Sequence, residues 1–234
     1  MRILEVFMKI DIVTLFPEMF RDVFGVSMMK IAQGKGLVEI KVHDLREYTV
    51  DKHRTADDKP YGGGVGMVMK VEPVDKAINA LKNSADSKVK QLTVLLTPQG
   101  GQFSQDQAKS FLRYEHIILI AGHYEGFDER IRLLVDLEVS IGDYILTCGE
   151  IPAMVVTDAV VRLLPGVLGD EACLIDESFE NNILEYPQYT RPAEYKNMRV
   201  PDVLLCGDPK KIDAWKQKQA LERTAERRPD LLRE

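Results

Sequence analysis

Residues 60–70 read PYGGGVGMVMK and place four glycines within five positions. A phosphate-binding loop would read GxxxxGK followed by Ser or Thr, and a dinucleotide-binding loop would read GxGxxG between a strand and a helix. Neither pattern is present in this stretch. Because glycine lacks a Cβ, such a loop can adopt positive φ angles and let a ligand approach its backbone closely. The stretch therefore predicts a sharp turn or a docking loop, and other residues must identify the ligand.

Residues 170–180, DEACLIDESFE, contain five acids and no base. A carboxylate such as that of Asp176 or Glu177 can act as a general base when it lies close to a substrate proton. An acidic run of this kind is more often an exposed linker. Taken by themselves, these residues favour the solvated linker over a catalytic role.

Apolar patterns predict an alternation of strands and helices along the chain. Period-two or continuous apolar runs predict strands at residues 9–16, 38–45, 92–96, 116–121 and 137–141. Helical signals, including a capping box at Ser104 and Gln107, predict helices at residues 17–30, 72–83, from 105, 128–136, 151–164 and 208–228. Such an alternation is typical of an α/β fold with a mainly parallel sheet.

Ligands of open parallel sheets bind outside the carboxyl ends of the strands. The loops that follow three predicted strands are rich in glycine and proline, and they occupy residues 97–101, 122–130 and 142–152. The binding site is therefore expected in these loops. His123 lies in the second of them.

The composition bounds the class of protein. The chain has 234 residues, 45% of them hydrophobic, and a formal net charge of -6. Residues 181–234 carry 11 Lys and Arg against 9 Asp and Glu, so the tail is more basic than the rest and permits a nucleic-acid partner. We expect no membrane-spanning segment and no secretory signal. The three cysteines have no CxxC spacing, which favours a reducing, cytoplasmic location and no metal site.

Many motifs occur in the order typical of one enzyme family. They are DDKPYGGGVGMVM, LTPQG, AGHYEGFDERI, SIGDYILTCGEIPAM, RLLPGVLG, SF, YPQYTRP and RRPDLL, which run from residue 57 to residue 232 within a resemblance that covers residues 8–232. On these motifs the sequence resembles the bacterial tRNA (guanine-N1-)-methyltransferases. Members of that family methylate N1 of the guanine just 3′ of the anticodon, with S-adenosylmethionine as methyl donor.

The resemblance implies more about the fold than the apolar patterns do. It implies an α/β parallel sheet whose C-terminal part is tied into a trefoil knot, with a small helical C-terminal domain and a homodimeric assembly. The expected boundaries are residues 1–168 for the knotted domain, 169–181 for an acidic linker and 182–234 for the tRNA-binding domain. It also implies that the enzyme can require Mg²⁺.

The family motifs also assign binding residues. The expected cofactor contacts are Leu96, Thr97, Pro98, Gln99, Gly122, Tyr124, Glu125, Gly126, Ser140, Ile141, Gly142, Asp143, Tyr144, Ile145, Leu146, Gly149 and Pro152. Cys148 stands where the family usually has a glycine, so its side chain must fit beside the cofactor. The expected contacts with the target base and the tRNA are Asp58, Pro60, Tyr61, Gly62, Gly63 and Gly64.

The reaction of this family needs a base, because N1 of guanine carries a proton until it is removed. The family places an aspartate before its SF motif, and Glu177 occupies that position here, with Asp176 as the second choice. Arg162, before PGVLG, matches the family arginine and suits stabilisation of negative charge on O6. Two alternatives remain: a non-catalytic RNA-binding or assembly protein on the same fold, and a different nucleotide-using α/β enzyme, which the missing phosphate-loop pattern disfavours.

Overall fold

The computed structural model describes residues 7–169 and 175–232. These residues form two compact units, one that ends at Gly169 and one that follows it. No helix among the described residues is both long and apolar enough to cross a membrane.

A five-stranded parallel sheet forms the centre of the first unit. Its strands are β1 (Met8–Thr14), β2 (Val38–Asp44), β5 (Gln91–Gln102), β6 (His116–Ala121) and β7 (Leu137–Ser140), in the spatial order β2-β1-β6-β5-β7. Two short strands, β3 (Asp57–Asp58) and β4 (Val68–Met69), pair separately. The predicted α/β class with a parallel sheet is therefore confirmed.

Helices cover both faces of the sheet. On one face, α2 (Ser27–Gly34), α4 (Gln105–Phe111) and α5 (Glu150–Val161) pack over an apolar cluster that includes Ile10 and Ile117. On the other face, α3 (Val71–Asn83) packs over a cluster that includes Ile118 and Ile120. All six residues of β6 are buried, which explains why this strand reads as a continuous apolar run.

Three predicted elements differ from the structure. The helix expected at residues 17–30 is divided into a 3-10 turn (Pro17–Phe20), α1 (Arg21–Phe24) and α2, since α1 ends at Gly25. The stretch expected to be helical at residues 128–136 contains a 3-10 helix (Glu129–Leu134). Strand β5 runs beyond Leu96 to Gln102, because a register shift lets it continue pairing with β7.

The described part of the second unit contains a hairpin, two α-helices and two short 3-10 helices (Glu180–Asn182 and Pro229–Leu232). The hairpin pairs β8 (Glu194–Tyr195) with β9 (Met198–Arg199), and the helices are α6 (Asp202–Leu205) and α7 (Pro209–Arg227). The carboxylate of Asp208 accepts hydrogen bonds from the first turn of α7, as the sequence predicts. Thr224 on α7 accepts a hydrogen bond from the backbone N–H of Leu184 at 2.8 Å. Helix α7 thereby holds the extended chain at residues 183–185.

A fully buried carboxylate lies within the sheet. Asp11 on β1 accepts hydrogen bonds from Nε2 of His116 at 2.7 Å and from Nε2 of His43 at 2.8 Å, and it pairs with the Lys9 ammonium at 2.7 Å. Burial by itself raises the pKa of Asp11, but hydrogen bonds from His116, His43 and Lys9 outweigh it and hold that pKa well below its usual range. The three neighbouring strands are thus joined by one ionised group.

We predict that Asp11→Asn lowers the free energy of unfolding at pH 7 by about 3 kcal/mol, because a buried ion pair loses one partner. Since the folded-state pKa lies below the unfolded value of about 3.9, this carboxylate stabilises the fold above about pH 4, and that stabilisation is lost as the pH falls. Urea unfolding between pH 7 and pH 2.5 should therefore give the variant a shallower acid dependence than the wild type. Glu47→Gln, at an exposed position, is the matched control. An unchanged free energy in Asp11→Asn would contradict the stabilising role.

Candidate functional site

A cleft of about 500 Å³ opens at the carboxyl ends of three adjacent strands. One wall is formed by residues 95–99 of β5. The other walls are formed by the loop and 3-10 helix after β6 and by the loop after β7. Together the walls contain the three segments rich in glycine and proline that the sequence singles out, of which residues 97–101 lie within β5. Their convergence follows from the parallel sheet, in which all of these strand ends lie at the same edge.

The cleft gathers almost all of the residues predicted to contact a cofactor. Asp143 is the exception, since it does not line the cleft. The residues that do are Leu96, Thr97, Pro98, Gln99, Gly122, Tyr124, Glu125, Gly126, Ser140, Ile141, Gly142, Tyr144, Ile145, Leu146, Gly149 and Pro152. Cys148 also lines it and is half-buried.

Two of the cleft loops cross in backbone contact. The N–H of Gly149 donates a hydrogen bond of 2.6 Å to the carbonyl oxygen of Gly122. A Cβ on Gly149 would lie 2.3 Å from the backbone nitrogen of Gly122, a distance that side-chain carbons do not reach. The crossing therefore requires glycine at residue 149.

Gly142 turns the third loop under an aromatic ring. Its φ of +151° lies in a region that residues with a side chain rarely adopt, and a Cβ there would lie 2.5 Å from Cε1 of Tyr144. The Tyr144 hydroxyl donates a hydrogen bond to the carbonyl oxygen of Ile141 at 3.2 Å. Gly142 thus keeps the Tyr144 ring folded back on its own loop at the cleft wall.

A charged network at the cleft wall was missed by sequence reasoning. Arg132, on the 3-10 helix, donates a hydrogen bond to the side-chain oxygen of Gln99. Its Nε lies 3.3 Å from a carboxylate oxygen of Glu129 and 3.4 Å from one of Glu138. The network ties the loop after β6 to β5 and β7. No periodicity or motif could have revealed it, because its members come from three separate elements.

Backbone hydrogen bonds join the segment that follows the glycine stretch at residues 62–66 to the loop after β6. The N–H of Met69 donates to the carbonyl oxygen of Gly126 at 2.9 Å, and the N–H of Glu125 donates to that of Met67 at 3.0 Å. A Cβ on Gly66 would lie 2.4 Å from Cγ of Glu125. The glycine loop and the loop after β6 therefore share one backbone framework.

The residues predicted to contact the target base and tRNA lie on the solvent side of this framework. Tyr61 is fully exposed, Pro60 is half-buried, and Asp58 and Gly62–Gly64 are exposed. The glycines adopt positive φ, between +81° and +136° for Gly62, Gly63 and Gly64. An exposed loop of this kind presents its backbone to whatever approaches the cleft.

Tyr124 links the cleft to the segment before the glycine loop. It has a φ of +61° and its hydroxyl contacts Arg46 and Asp57. Burial first, and then the negative charge of Asp57, raise the pKa of Tyr124 above its ordinary value. The phenol therefore stays neutral and can donate a hydrogen bond at neutral pH.

The resemblance implies that the His123 imidazole faces RNA or solvent rather than acting as a general base, and this stays a prediction for a side chain that lines the cleft. Its ring lies 4.7 Å from the Phe16 ring and 5.0 Å from the Tyr124 ring, measured between centroids. About a quarter of its side chain is exposed, at 24%. Loop position alone could not indicate that two aromatic rings enclose this side chain.

The predicted catalytic residues belong to different units of the chain. Arg162 caps the C-terminal end of α5 and is half-buried. Glu177 is half-buried, and its carbonyl oxygen accepts a hydrogen bond from the N–H of Glu180 at 3.1 Å. Asp176 is exposed. Residues 170–174 of the predicted acidic linker lie outside the described residues.

No group of three or more His, Cys, Asp or Glu side chains within residues 7–169 and 175–232 is arranged to hold a metal ion. Two of the acids at the cleft wall pair with arginine side chains. Asp128 pairs with Arg130 at 2.7 Å, and Glu129 pairs with Arg132. These acids therefore act in the structure as partners of arginine side chains.

Comparison with known proteins gives a consistent result. Residues 8–234 match the family model described as tRNA (Guanine-1)-methyltransferase TrmD. A tRNA (guanine-N(1)-)-methyltransferase of Dictyoglomus turgidum is 57% identical over 225 residues, which cover 96% of this chain and 90% of the relative. Relatives with the same name from Carboxydothermus hydrogenoformans and Shouchella clausii are 56% and 53% identical, and this chain covers 88% and 92% of them.

The family model spans nearly the whole chain, and the identities hold over nearly the full length of each relative. The resemblance inferred from the motifs is thereby confirmed. This chain belongs to the tRNA (guanine-N1)-methyltransferase family.

Proposed function

We propose that this protein transfers a methyl group from S-adenosylmethionine to N1 of the guanine 3′ of the anticodon in tRNA. The observation that carries the proposal is the cleft, in which the end of β5 and two loops, all bearing family motifs, converge at one edge of the sheet. Its relatives carry the name of this activity.

The cleft fits the proposed methyl donor. A volume of about 500 Å³ is within the range of cofactor sites, which are mostly apolar with a few polar groups. Leu96, Ile141, Ile145 and Leu146 offer apolar walls for a purine ring. Gly122 and Gly149 have no side chains to cover their own backbone groups. We therefore expect the ligand to form its hydrogen bonds largely with main-chain groups.

The chemistry divides between the cofactor and the protein. S-Adenosylmethionine supplies an electrophilic methyl group on its sulfonium. The protein must remove the N1 proton, and we assign this to Glu177, with Asp176 as the second choice. The Arg162 guanidinium would stabilise the negative charge that develops on O6. The target nucleotide has to leave its stack to be methylated. The exposed glycine loop would receive it, through Asp58, Pro60, Tyr61, Gly62, Gly63 and Gly64.

The knot and the homodimer expected from the family are part of this proposal. The backbone contact between Gly122 and Gly149 supports the knot, because it brings two loops together as closely as a threaded crossing requires. Exposed apolar side chains on one face support a dimer. They are Met19, Val23 and Ile31 on the segment from the first 3-10 turn to α2, and Ile151 and Val155 on α5, which packs against that segment.

The second unit would add tRNA contacts. Its α7 carries Lys210, Lys211 and Lys218 at exposed positions, where they can meet phosphates. The domain boundaries at residues 168 and 181, a cytoplasmic location with the tRNA pool and a magnesium requirement remain predictions of the family resemblance.

The alternative is a non-catalytic RNA-binding or assembly protein on the same fold. The retained Arg162, an acid at Glu177 and the intact cleft glycines favour the enzyme. The deciding experiment is incubation with labelled S-adenosylmethionine and unmodified tRNA. Label in tRNA, located to N1 of that guanine by nuclease digestion and mass spectrometry, is the expected outcome. Binding of tRNA without label transfer would favour the alternative.

We predict that Gly142→Val abolishes cofactor binding while the protein stays folded. The valine side chain would meet the Tyr144 ring and could not hold the φ of +151°, so the cleft wall would move. Isothermal titration calorimetry with S-adenosylmethionine measures the loss. Gly34→Val, at a position with open space around a Cβ and outside the cleft, is the matched control. Unchanged affinity in Gly142→Val would remove this loop from the cofactor site.

We predict that catalytic sites are shared between two subunits of a dimer. If Arg162 and Glu177 of one site come from different chains, then mixing an Arg162→Ala chain with a Glu177→Ala chain gives mixed dimers with one whole site. Random exchange should recover about a quarter of wild-type activity, because half of the dimers are mixed and one of their two sites is whole. Each variant taken alone through the same exchange is the control. No recovery, once exchange is demonstrated, would count against sharing.

We predict that Glu177→Gln slows methyl transfer in a single turnover by about 10²-fold or more, since the amide keeps the size of the side chain but cannot accept the proton. Cofactor affinity should barely change. Glu177→Asp should be tolerated, because it restores the residue that the family usually carries.

Asp176→Asn is the matched comparison for the base. A small effect of Asp176→Asn beside a large effect of Glu177→Gln supports Glu177. The reverse pattern would make Asp176 the base, and near-full rates in both variants would assign proton removal to another group.

A further inference from the structure

Two polar side-chain atoms beside the cleft lack a hydrogen-bond partner among the residues that the structure describes. Glu150, the first residue of α5, is fully buried, and its Oε1 accepts a hydrogen bond from the Thr14 hydroxyl at 2.5 Å. Within residues 7–169 and 175–232, its Oε2 has no such partner, and neither has Nδ1 of His123. These two atoms are 3.9 Å apart. They lie about 1 Å beyond hydrogen-bond distance.

Leaving both atoms unpaired is costly. A buried carboxylate oxygen or imidazole nitrogen that loses water without gaining a partner costs free energy, and the cost is greater for a charged group. Thr14 is itself committed, because its Oγ1 donates to Glu150 and accepts from the N–H of Phe16 at 2.9 Å. A small approach of His123 would satisfy both remaining atoms at once.

The surroundings of His123 leave Glu150 as its carboxylate partner among the described residues. Phe16 and Tyr124 enclose the ring. Two charged side chains contact these aromatic neighbours: Arg46, whose guanidinium lies 5.6 Å from the centre of the Phe16 ring, and Asp57. Both contact the Tyr124 hydroxyl. The ring can therefore approach Glu150 without displacing another ion pair.

His123 and Glu150 are next in sequence to the residues that form the crossing and the cleft wall. His123 follows Gly122, and Glu150 follows Gly149, which are the two residues that join the crossing loops. His123 also precedes Tyr124 and Glu125, which line the cleft. Movement of His123 toward Glu150 would therefore move that cleft wall relative to the N-terminal turn of α5.

We infer that His123 and Glu150 are positioning residues that form a hydrogen-bonded pair when a ligand fills the cleft, with Thr14 fixing the carboxylate. The pair holds Tyr124 and Glu125 in the arrangement that binds the cofactor. This role rests on the proposed use of the cleft for S-adenosylmethionine. Neither residue is assigned a part in proton transfer.

The test is a double-mutant cycle on the affinity for S-adenosylhomocysteine, measured by calorimetry without methyl transfer. His123→Phe keeps a ring between its aromatic neighbours and removes Nδ1, while Glu150→Gln removes the charge. Each should weaken binding about 10-fold. The affinity of the double variant should equal that of the single variant with the lower affinity, because both changes break the same contact. His123→Asn, whose amide can reach the same carboxylate, should restore most of the affinity.

Losses that multiply in the double variant, or no loss in either single variant, would overturn the pair. His53→Phe, at an exposed histidine, is the matched control. If Glu150→Gln fails to fold, the comparison of His123→Phe with His123→Asn decides, and equal losses would overturn the inference. A wild-type protein that binds neither S-adenosylhomocysteine nor S-adenosylmethionine would instead reject the proposed function itself.

Discussion

The hydrogen bond between the N–H of Gly149 and the carbonyl oxygen of Gly122 is the constraint on which the cleft depends. It brings the loop after β7 against the loop after β6 at a distance that excludes any Cβ on residue 149. Everything else in the cleft is arranged around this crossing. The Tyr144 ring folds over Gly142, and Arg132 ties Gln99 to Glu138, so the outer parts of the loops are fixed by side chains where the backbone no longer meets.

Buried polar groups in the middle of β1 and at its carboxyl end hold the strands in register with this crossing. Asp11 joins β1 to His43 on β2 and His116 on β6, deep in the sheet. Thr14, at the end of β1, holds the carboxylate of Glu150. Because such groups tolerate few alternative partners, a slip of β1 against its neighbours would cost several buried hydrogen bonds. The fold thereby fixes where α5 begins and where the cleft opens.

Sequence reasoning succeeded where one kind of local pattern determined the result. The continuous apolar run of β6 and the Ser104 cap could be predicted, because burial and capping depend on adjacent residues. The extension of β5 through Pro98 and Gly100 could not, because these residues favour a turn and become a strand through the register shift against β7. Likewise, the ring packing of His123 and the Arg132 network depend on contacts between distant segments. The family motifs could assign the cleft residues because they carry information from three loops at once.

The departure at Cys148 shows how narrow the requirement for glycine is. The family usually has glycine at this position, and a side chain there would appear to threaten the same close contact. In the structure the contact falls on residue 149, where a Cβ would lie 2.3 Å from the nitrogen of Gly122, whereas Cys148 lines the cleft and is half-buried. A small side chain at residue 148 therefore changes the surface of the cleft and leaves the crossing intact. The backbone contact restricts residue 149 to glycine and places no such restriction on residue 148.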